Sequence, residues 1–522
     1  MQTDPRTAPS RRSVLLGAAA AIAAAALPAP VRAVPERTHY TAIVVGTGFG
    51  GSVAAARLGA AGVDTLVLER GRSYRHDDHA EVYAPGTNPL HPNALWAPAL
   101  GRTGVFDVEL AGTMAILRGA AVGGGSVPYF GATIPPHARY YDKIFRAGPR
   151  YQQLMAEYVP RALRNLRAET IPDDIRASRP FAMMRRFEDS MARAGWPSRS
   201  VPSTINWDVV RRELRGEVRR SVTVGEMMFG VSNGGKRELS TTYLGSALRR
   251  PSVQMRTLQR VTGLTQERGR VAVHAEELDV QGAVVRRRDY TCDQLFLAGG
   301  AYGTPELLLA SRLAGGLPNL NEHVGTQVGD NGDQFAARLV PDPFEPRPGC
   351  IVTSAFVDDD PNYLPTVVQT AGAVARLPYI VYFTIPVDWE NRTSWEIVAG
   401  TPKLVVPPLS LVADAGAANA RVLRRVTDVE GGIALAPLPG IPIAGPDPGI
   451  GISAAGLPPS GTAHLLGGAV LGAASDADGR LHGHPAIRVV DGAGIPGNAG
   501  GANPSLVITA FAEYLMDRAL GA

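Results

Sequence analysis

Residues 39–71, HYTAIVVGTGFGGSVAAARLGAAGVDTLVLERG, change pattern three times within one short span. A β-branched run, Ala42 to Val45, stops at glycines, and an alanine-rich segment of helical character follows, ending at Gly59 or Gly62. A second apolar run, Thr65 to Leu68, then stops at Glu69. The order is strand, turn, helix, strand. Gly46, Gly48 and Gly51 fall in G-x-G-x-x-G spacing between the first strand and the helix. The first glycine permits the tight turn, the second lets a pyrophosphate approach the backbone, and the third lets the helix pack on the sheet. An anion then sits at the helix N-terminus, where unpaired amides and the dipole favour it. Glu69 is placed to accept hydrogen bonds from an adenosine ribose. Pattern, strand, helix and terminal acid together predict an α/β fold with a Rossmann-like dinucleotide site.

A second glycine cluster, VGGGS at 122–126, follows some 70 residues later. With the fingerprint at the start of the mature chain, it favours a buried flavin over a diffusible nicotinamide. Gly123, Gly124, Gly125 and Ser126 are expected to let backbone pass close to the flavin ring system, where side chains would clash. Two further strands end at Gly299-Gly300 and at Asp491-Gly492. Such strand ends are where α/β folds place ligands, although an ordinary buried turn also explains Asp491. The stretch SGTAHLLGGAVLG, residues 460–472, sets His464 in a small apolar run. Taken alone, that pattern reads as a core histidine. The closing segment, NPSLVITAFAEYLMDRAL, reads as a helix with Pro504 in its first turn and Asn503 as a candidate cap.

The 522-residue chain is long enough for a multi-lobed fold around a large ligand. Its 52 Lys and Arg barely exceed its 48 Asp and Glu, and the arginines are scattered, which argues against nucleic acid as a partner. Residues 1–33 read as a twin-arginine signal: Arg11-Arg12, an apolar stretch from Val14 to Leu27, and a small-residue exit at Val31-Arg32-Ala33. That predicts export of a folded, cofactor-loaded protein to the cell envelope or beyond. The stretch is shorter than the roughly 20 residues of a spanning helix. Only Cys292 and Cys350 are present, so at most one disulfide and no thiolate metal cluster are expected. Residues 75–117 look irregular, 140–225 helical and arginine-rich, 253–298 and 350–400 strand-rich, and 436–461 a Pro/Gly loop.

The motifs VVGTGFGGSVAAARL, GAAVGGGSVPYFG, GGKRELSTTYLGSAL, FLAGGAYGTPELLLASRLAGGLPNLNEHVG, HLLGGAVLGAASDADGRL and VVDGAGIPGNAGGANPSLVITAFAE resemble, in order, those of the glucose-methanol-choline oxidoreductases. Within them the likeness is to bacterial cholesterol oxidases of the non-covalent FAD type. It is weakest over 140–225 and 340–460. The resemblance implies an FAD domain made of residues 40–135, 225–335 and 462–522, and a substrate domain of 136–224 and 336–461 with a large antiparallel sheet roofing the flavin. It implies that Gly46, Gly48, Gly51, Glu69, Gly123 to Ser126, Val261 near the adenine, Asp491 and Gly492 bind FAD. It places His464 and Asn503 beside the substrate hydroxyl, His464 to orient the alcohol and take its proton, Asn503 to donate from its amide. The implied reaction is hydride transfer from a hydrophobic secondary alcohol, a 3-hydroxysterol among the candidates, with oxygen or another acceptor regenerating the flavin. Transient contact with a membrane surface would deliver such a substrate.

Three positions depart from the family pattern. Arg376 stands where a sheet glutamate serves steroid double-bond isomerisation, and no carboxylate lies between Tyr363 and Val387. Either Asp388, Glu390 or Glu396 enters from a neighbouring position, or that half-reaction is absent. Tyr129 stands in place of an Asn, and Ser505 in place of an aromatic. A flavin-dependent tailoring oxidase for a non-sterol natural product, with Arg376 meeting an anionic group, fits these changes, as does a flavin protein without turnover. A nicotinamide dehydrogenase fits an exported chain poorly.

Overall fold

The computed structural model describes residues 37–85, 88–339, 348–370, 379–390, 393–407, 413–435 and 460–521. The signal-like segment, Arg376 and residues 436–459 of the Pro/Gly loop lie outside them. From His39 onward the chain forms one compact unit.

Strand β1 (His39–Val45), helix α1 (Phe49–Ala60) and strand β2 (Thr65–Leu68) open it, as the fingerprint predicts. The first sheet is completed by β3 (Val253–Arg256), β4 (Gln259–Glu267), β5 (Arg270–Leu278) and β6 (Val284–Leu297), and α2 (Gly300–Leu313) follows. A second sheet is built from β7 (Gln334–Leu339), β8 (Thr353–Val357), β9 (Thr366–Thr370) and β10 (Tyr379–Pro386), with α3 (Ala413–Glu430) and β11 (Ile433–Leu435) after them. The chain then returns to the first sheet with β12 (Arg480–Leu481) and β13 (His484–Val489) and ends in α4 (Pro504–Leu520).

The first sheet runs β12-β13-β6-β1-β2-β3, and β4 and β5 extend it antiparallel from β6. Its central strands are parallel and buried on both faces, which is why they read as continuous apolar runs rather than as an alternation. Val44, Val67 and Phe296 pack toward Val53, Ala54 and Leu58 of α1, while Ile43, Leu66 and Leu295 pack toward Val271 and Leu308. Register matters most here. Val45 lies opposite Leu68 and Leu297, and Leu297 opposite Val489, so four parallel strands stop at one level. Gly46, Glu69, Ala298 and Val490 follow at that edge, which brings distant motifs to a single crevice.

The second sheet is antiparallel, ordered β11-β7-β10-β9-β8 with the short strand Arg199–Ser200 at its far edge. Alternation divides its faces. Val368, Ile380 and Tyr382 pack beneath Val422, Leu423 and Val426 of α3, whereas Val367, Phe383 and Ile385 join the core beside α4. Gln369 shares the second parity and so faces away from α3.

The expectation of an irregular 75–117 fails at its end. Phe106–Ala111 and Met114–Gly119 form an antiparallel hairpin turning at Gly112-Thr113. The first run, FDVELA, alternates, but the second does not, because Met114, Ala115, Ile116 and Leu117 are all buried. Cys292 and Cys350 are both buried free thiols, each pushed up to about 12 by burial. Among the described residues, no helix is long and apolar enough to cross a membrane.

Candidate active site

A cavity of about 740 Å³ opens along the shared edge of the parallel strands and runs on beneath the second sheet. Its wall includes Gly46, Gly48, Glu69, Gly124, Gly125, Val261, Asp491, Gly492, His464 and Asn503, so ten of the sequence-predicted residues meet in one place. Gly51, Gly123 and Ser126 stand behind that wall.

The three fingerprint glycines are not equivalent. Gly46 has φ +97°, and a Cβ there would overlap the Ala298 carbonyl; a Cβ on Gly51 would overlap the Gly46 carbonyl. These two are consumed by strand and helix packing. A Cβ on Gly48 would meet no heavy atom within 4 Å, so its open side belongs to the cavity. Gly50, which the pattern does not include, is equally constrained: its Cβ would overlap the Val490 carbonyl.

Glu69 holds this loop. Its Oε2 accepts from the Thr47 amide at 2.9 Å and the Thr47 hydroxyl at 2.5 Å, and its Oε1 accepts from the Gly71 amide at 2.8 Å. A carboxylate has about four acceptor positions, so capacity remains for a ribose. The Thr47 hydroxyl also accepts from the Gly123 amide at 3.0 Å, fastening the second glycine cluster to the first. Sequence reasoning passed over Thr47, whose only signal was a hydroxyl inside the fingerprint. Ser126 braces its own turn, donating to the Gly123 carbonyl at 2.8 Å and accepting from the Leu239 amide at 3.0 Å.

Asp491 makes the buried turn and also lines the cavity. Its Oδ1 accepts from the Ala493 amide at 2.9 Å, a local turn. Its Oδ2 accepts from the Gly300 amide at 2.6 Å and the Thr304 hydroxyl at 2.7 Å, tying the start of α2 to the cavity wall. Burial pushes this carboxyl from 3.8 up to about 6, against the pull of those donors. The folded state therefore holds the proton more tightly than the unfolded chain, and the stability this contributes is present below pH ~4 and lost as pH rises through ~6. Asp491→Asn cannot ionise. The difference in stability between wild type and variant, measured by thermal melts, is expected to shift toward the variant by up to ~3 kcal/mol between pH 4 and 7; a pH-independent difference would count against this account.

At the other end, the His464 Nδ1–H donates to Oδ1 of Asp333 at 2.8 Å. Asp333 is fully buried and its Oδ2 also accepts from the Thr462 hydroxyl at 2.9 Å and the Ala463 amide at 3.3 Å. With Nδ1 committed to a carboxylate, Nε2 is the ring atom left to serve as acceptor in the cavity. His464 is thus neither a packed core residue nor a solvent-facing one. Asp333 is the orienting residue that sequence reasoning missed; its signal was the GDNGD turn at 329–333.

Asn503 occupies the N-cap position of α4, yet its side chain makes no capping hydrogen bond. Its Oδ1 accepts instead from the Gln369 Nε2–H at 2.6 Å, within a buried pair. The loop before it is held by Asn331, which donates to the Ala502 carbonyl and accepts from the Ala499 amide, and by Asn498, whose Oδ1 accepts from the Gly500 amide. The Phe383 ring lies 5.5 Å from the His464 ring, and Phe49, Phe130, Ile351 and Val381 add further apolar wall to the cavity. Tyr129 joins it with its hydroxyl bonded to Thr204, so little of that phenol is free for a ligand. Asp388, Glu390 and Glu396 do not reach the cavity; Glu390 and Glu396 are exposed, and Asp388 accepts from the Glu390 amide in a surface turn. The carboxylates lining the cavity are Glu69, bonded to the glycine loop, Glu306 of α2, and Asp491, bonded to the start of α2.

A GMC oxidoreductase N-terminal model matches residues 40–331 and the corresponding C-terminal model residues 458–512. The chain is a GMC oxidoreductase. Among curated proteins it is 27% identical to a cholesterol oxidase of Mycobacterium tuberculosis, across 91% of this chain and 90% of that one. A long-chain-alcohol oxidase, FAO3 of Arabidopsis thaliana, is 35% identical over 19% of this chain and 12% of its own. Among solved structures, pyridoxine 4-oxidase from Mesorbium loti superposes with a TM-score of 0.63 at 18% identity, covering 92% of this chain and 99% of that one. A fungal aryl-alcohol oxidase gives 0.63 at 16% identity, covering 93% and 99%.

This GMC oxidoreductase is therefore an FAD-dependent enzyme acting on CH–OH donors, built on a Rossmann-like α/β fold. Its residues fit FAD: the open side of Gly48, the N-termini of α1 and α2, the Glu69 carboxylate and the bare backbone of Gly124 and Gly125 all border the same cavity.

Proposed function

We propose that this enzyme is an exported oxidase or dehydrogenase of a hydrophobic secondary alcohol, with 3-hydroxysterols the leading candidates. One observation carries the reading: the His464 imidazole and the Asn503 amide line a cavity with aromatic and aliphatic walls, where the Tyr129 and Ser505 hydroxyls are already bonded to Thr204 and the Ala132 carbonyl. The resemblance to a cholesterol oxidase along nearly the whole chain supports it. His464 Nε2 accepts the hydroxyl proton, and the imidazolium so formed faces the buried Asp333 carboxylate. Asn503 donates to the oxygen as negative charge grows on it. The apolar wall excludes water from both groups. Bound FAD supplies the hydride acceptor.

Among the described residues no carboxylate lines this end of the cavity, and the Asp333 carboxylate behind His464 is engaged by His464, Thr462 and the Ala463 amide, which leaves none to move a proton along a steroid ring. A 3-hydroxy-5-ene sterol is accordingly expected to leave as its ketone with the double bond in place. We further propose that FAD is held by the discontinuous set 40–135, 225–335 and 462–522, that residues 136–224 and 336–461 cover the substrate, and that Arg11-Arg12 directs export. The deciding measurement is absorbance of the yellow holoprotein under anaerobic addition of cholesterol, a long-chain primary alcohol or a carboxylate-bearing alcohol. Bleaching by cholesterol, with product absorbance lacking the conjugated-enone band, supports the reading. Bleaching by the acidic alcohol alone supports a tailoring oxidase, and no bleaching by any alcohol rejects turnover.

A further inference from the structure

The amide of Asn503 has two faces, an acceptor and a pair of donors, and the proposed chemistry can use only the donors. An alcohol that surrenders its proton to an imidazole accumulates negative charge on oxygen, and a carbonyl pointed at that oxygen would repel it. Nothing in α4 fixes which face is turned inward, because Asn503 makes no capping bond. The fixing contact comes from the second sheet, where Gln369 of β9 donates its Nε2–H to Asn503 Oδ1 at 2.6 Å. Gln369 is fully buried, and its own Oε1 has no hydrogen-bond partner among the described residues. An idle buried acceptor is costly. The fold tolerates that cost at Gln369, and the acceptor of Asn503 is occupied in the wall while its donors are left for the cavity.

We propose that Gln369 is a positioning residue that sets the polarity of Asn503, aiming its Nδ2 donors at the reacting centre. Gln369 does not itself line the cavity and acts only through Asn503. The proposal rests on the role given to Asn503 above, so its test includes a readout that needs no alcohol.

Two variants of matched size separate the effects. Gln369→Met removes the hydrogen bond and leaves Asn503 free to turn. Gln369→Glu, once ionised, offers only acceptors; it draws the Asn503 N–H groups into the wall and turns the carbonyl inward. The measurements are the midpoint potential of bound FAD, by dye-coupled reduction, and the anaerobic rate of flavin reduction by alcohol, each from pH 5 to 9 in wild-type and Asn503→Ala backgrounds. Gln369→Met is expected to slow reduction about 10-fold. Gln369→Glu is expected to slow it about 100-fold at high pH and less at low pH, where a protonated carboxyl donates as the amide did, with a parallel fall in potential. Neither change is expected in the Asn503→Ala background. The proposal is overturned if both readouts match wild type in both variants, or if the losses persist undiminished without Asn503. If no alcohol reduces the wild-type enzyme, the functional reading fails and the potential alone decides the role of Gln369.

Discussion

Replacing His464 with alanine is expected to leave a yellow, folded protein whose flavin is reduced by its alcohol some 10²–10⁴-fold more slowly. That loss corresponds to about 3–5 kcal/mol of barrier. The variant should keep its FAD, because the ring bonds to Asp333 rather than to the glycine loop or Glu69. Asp333→Asn provides the companion measurement. It preserves shape and can still meet Nδ1, but the imidazolium loses the full negative charge behind it, so its rate should fall between wild type and His464→Ala. Single-turnover reduction in a stopped-flow instrument, with flavin content checked by absorbance, reports both. Wild-type rates in His464→Ala would remove the histidine from the mechanism.

Two glycines of the fingerprint should fail in opposite ways. Gly48 has φ −66° and ψ −169°, values any residue adopts, and its missing side chain faces open space. Gly48→Ala is therefore expected to melt, without FAD, within ~0.5 kcal/mol of wild type. Its FAD affinity should nevertheless fall about 100-fold, or ~3 kcal/mol, since a methyl group then stands where the diphosphate must approach the backbone. Gly51→Ala is the converse. Its Cβ overlaps the Gly46 carbonyl, so α1 is forced off the sheet and the apoprotein itself loses about 1–3 kcal/mol or more. Equal melting of the two apoproteins, or unchanged FAD binding by Gly48→Ala, would contradict this division.

The glycine-loop half of the site was legible in the sequence because its signals are local. A four-residue run that is buried on both faces must be apolar throughout, and a loop that bears a phosphate must lack side chains; both leave marks within ten residues. The site's second half is not local. Asp333 lies 131 positions from His464, and Gln369 lies 134 from Asn503. No spacing rule joins them, so His464 was reached through family resemblance and its partner not at all. The hairpin at 106–119 escaped for another reason: its second strand is buried on both faces through Leu117 and reads as a plain apolar run, so the six-residue alternation of Phe106–Ala111 is the one strand mark it leaves. Asn503 shows the reverse error, since a residue type that caps helices well was placed at a helix start and then used its side chain elsewhere.

His464 and Asn503 belong to the segment that closes the first sheet, but the groups that orient them, Asp333 and Gln369, lie just before the second sheet and within it. Under the proposed division of the chain the second sheet roofs the substrate, so substrate range and reactive-group alignment are inherited together. A chimera that borrows the roof of another oxidase would import foreign partners for both groups along with the new binding surface, and would need positions 333 and 369 restored before its selectivity could be judged.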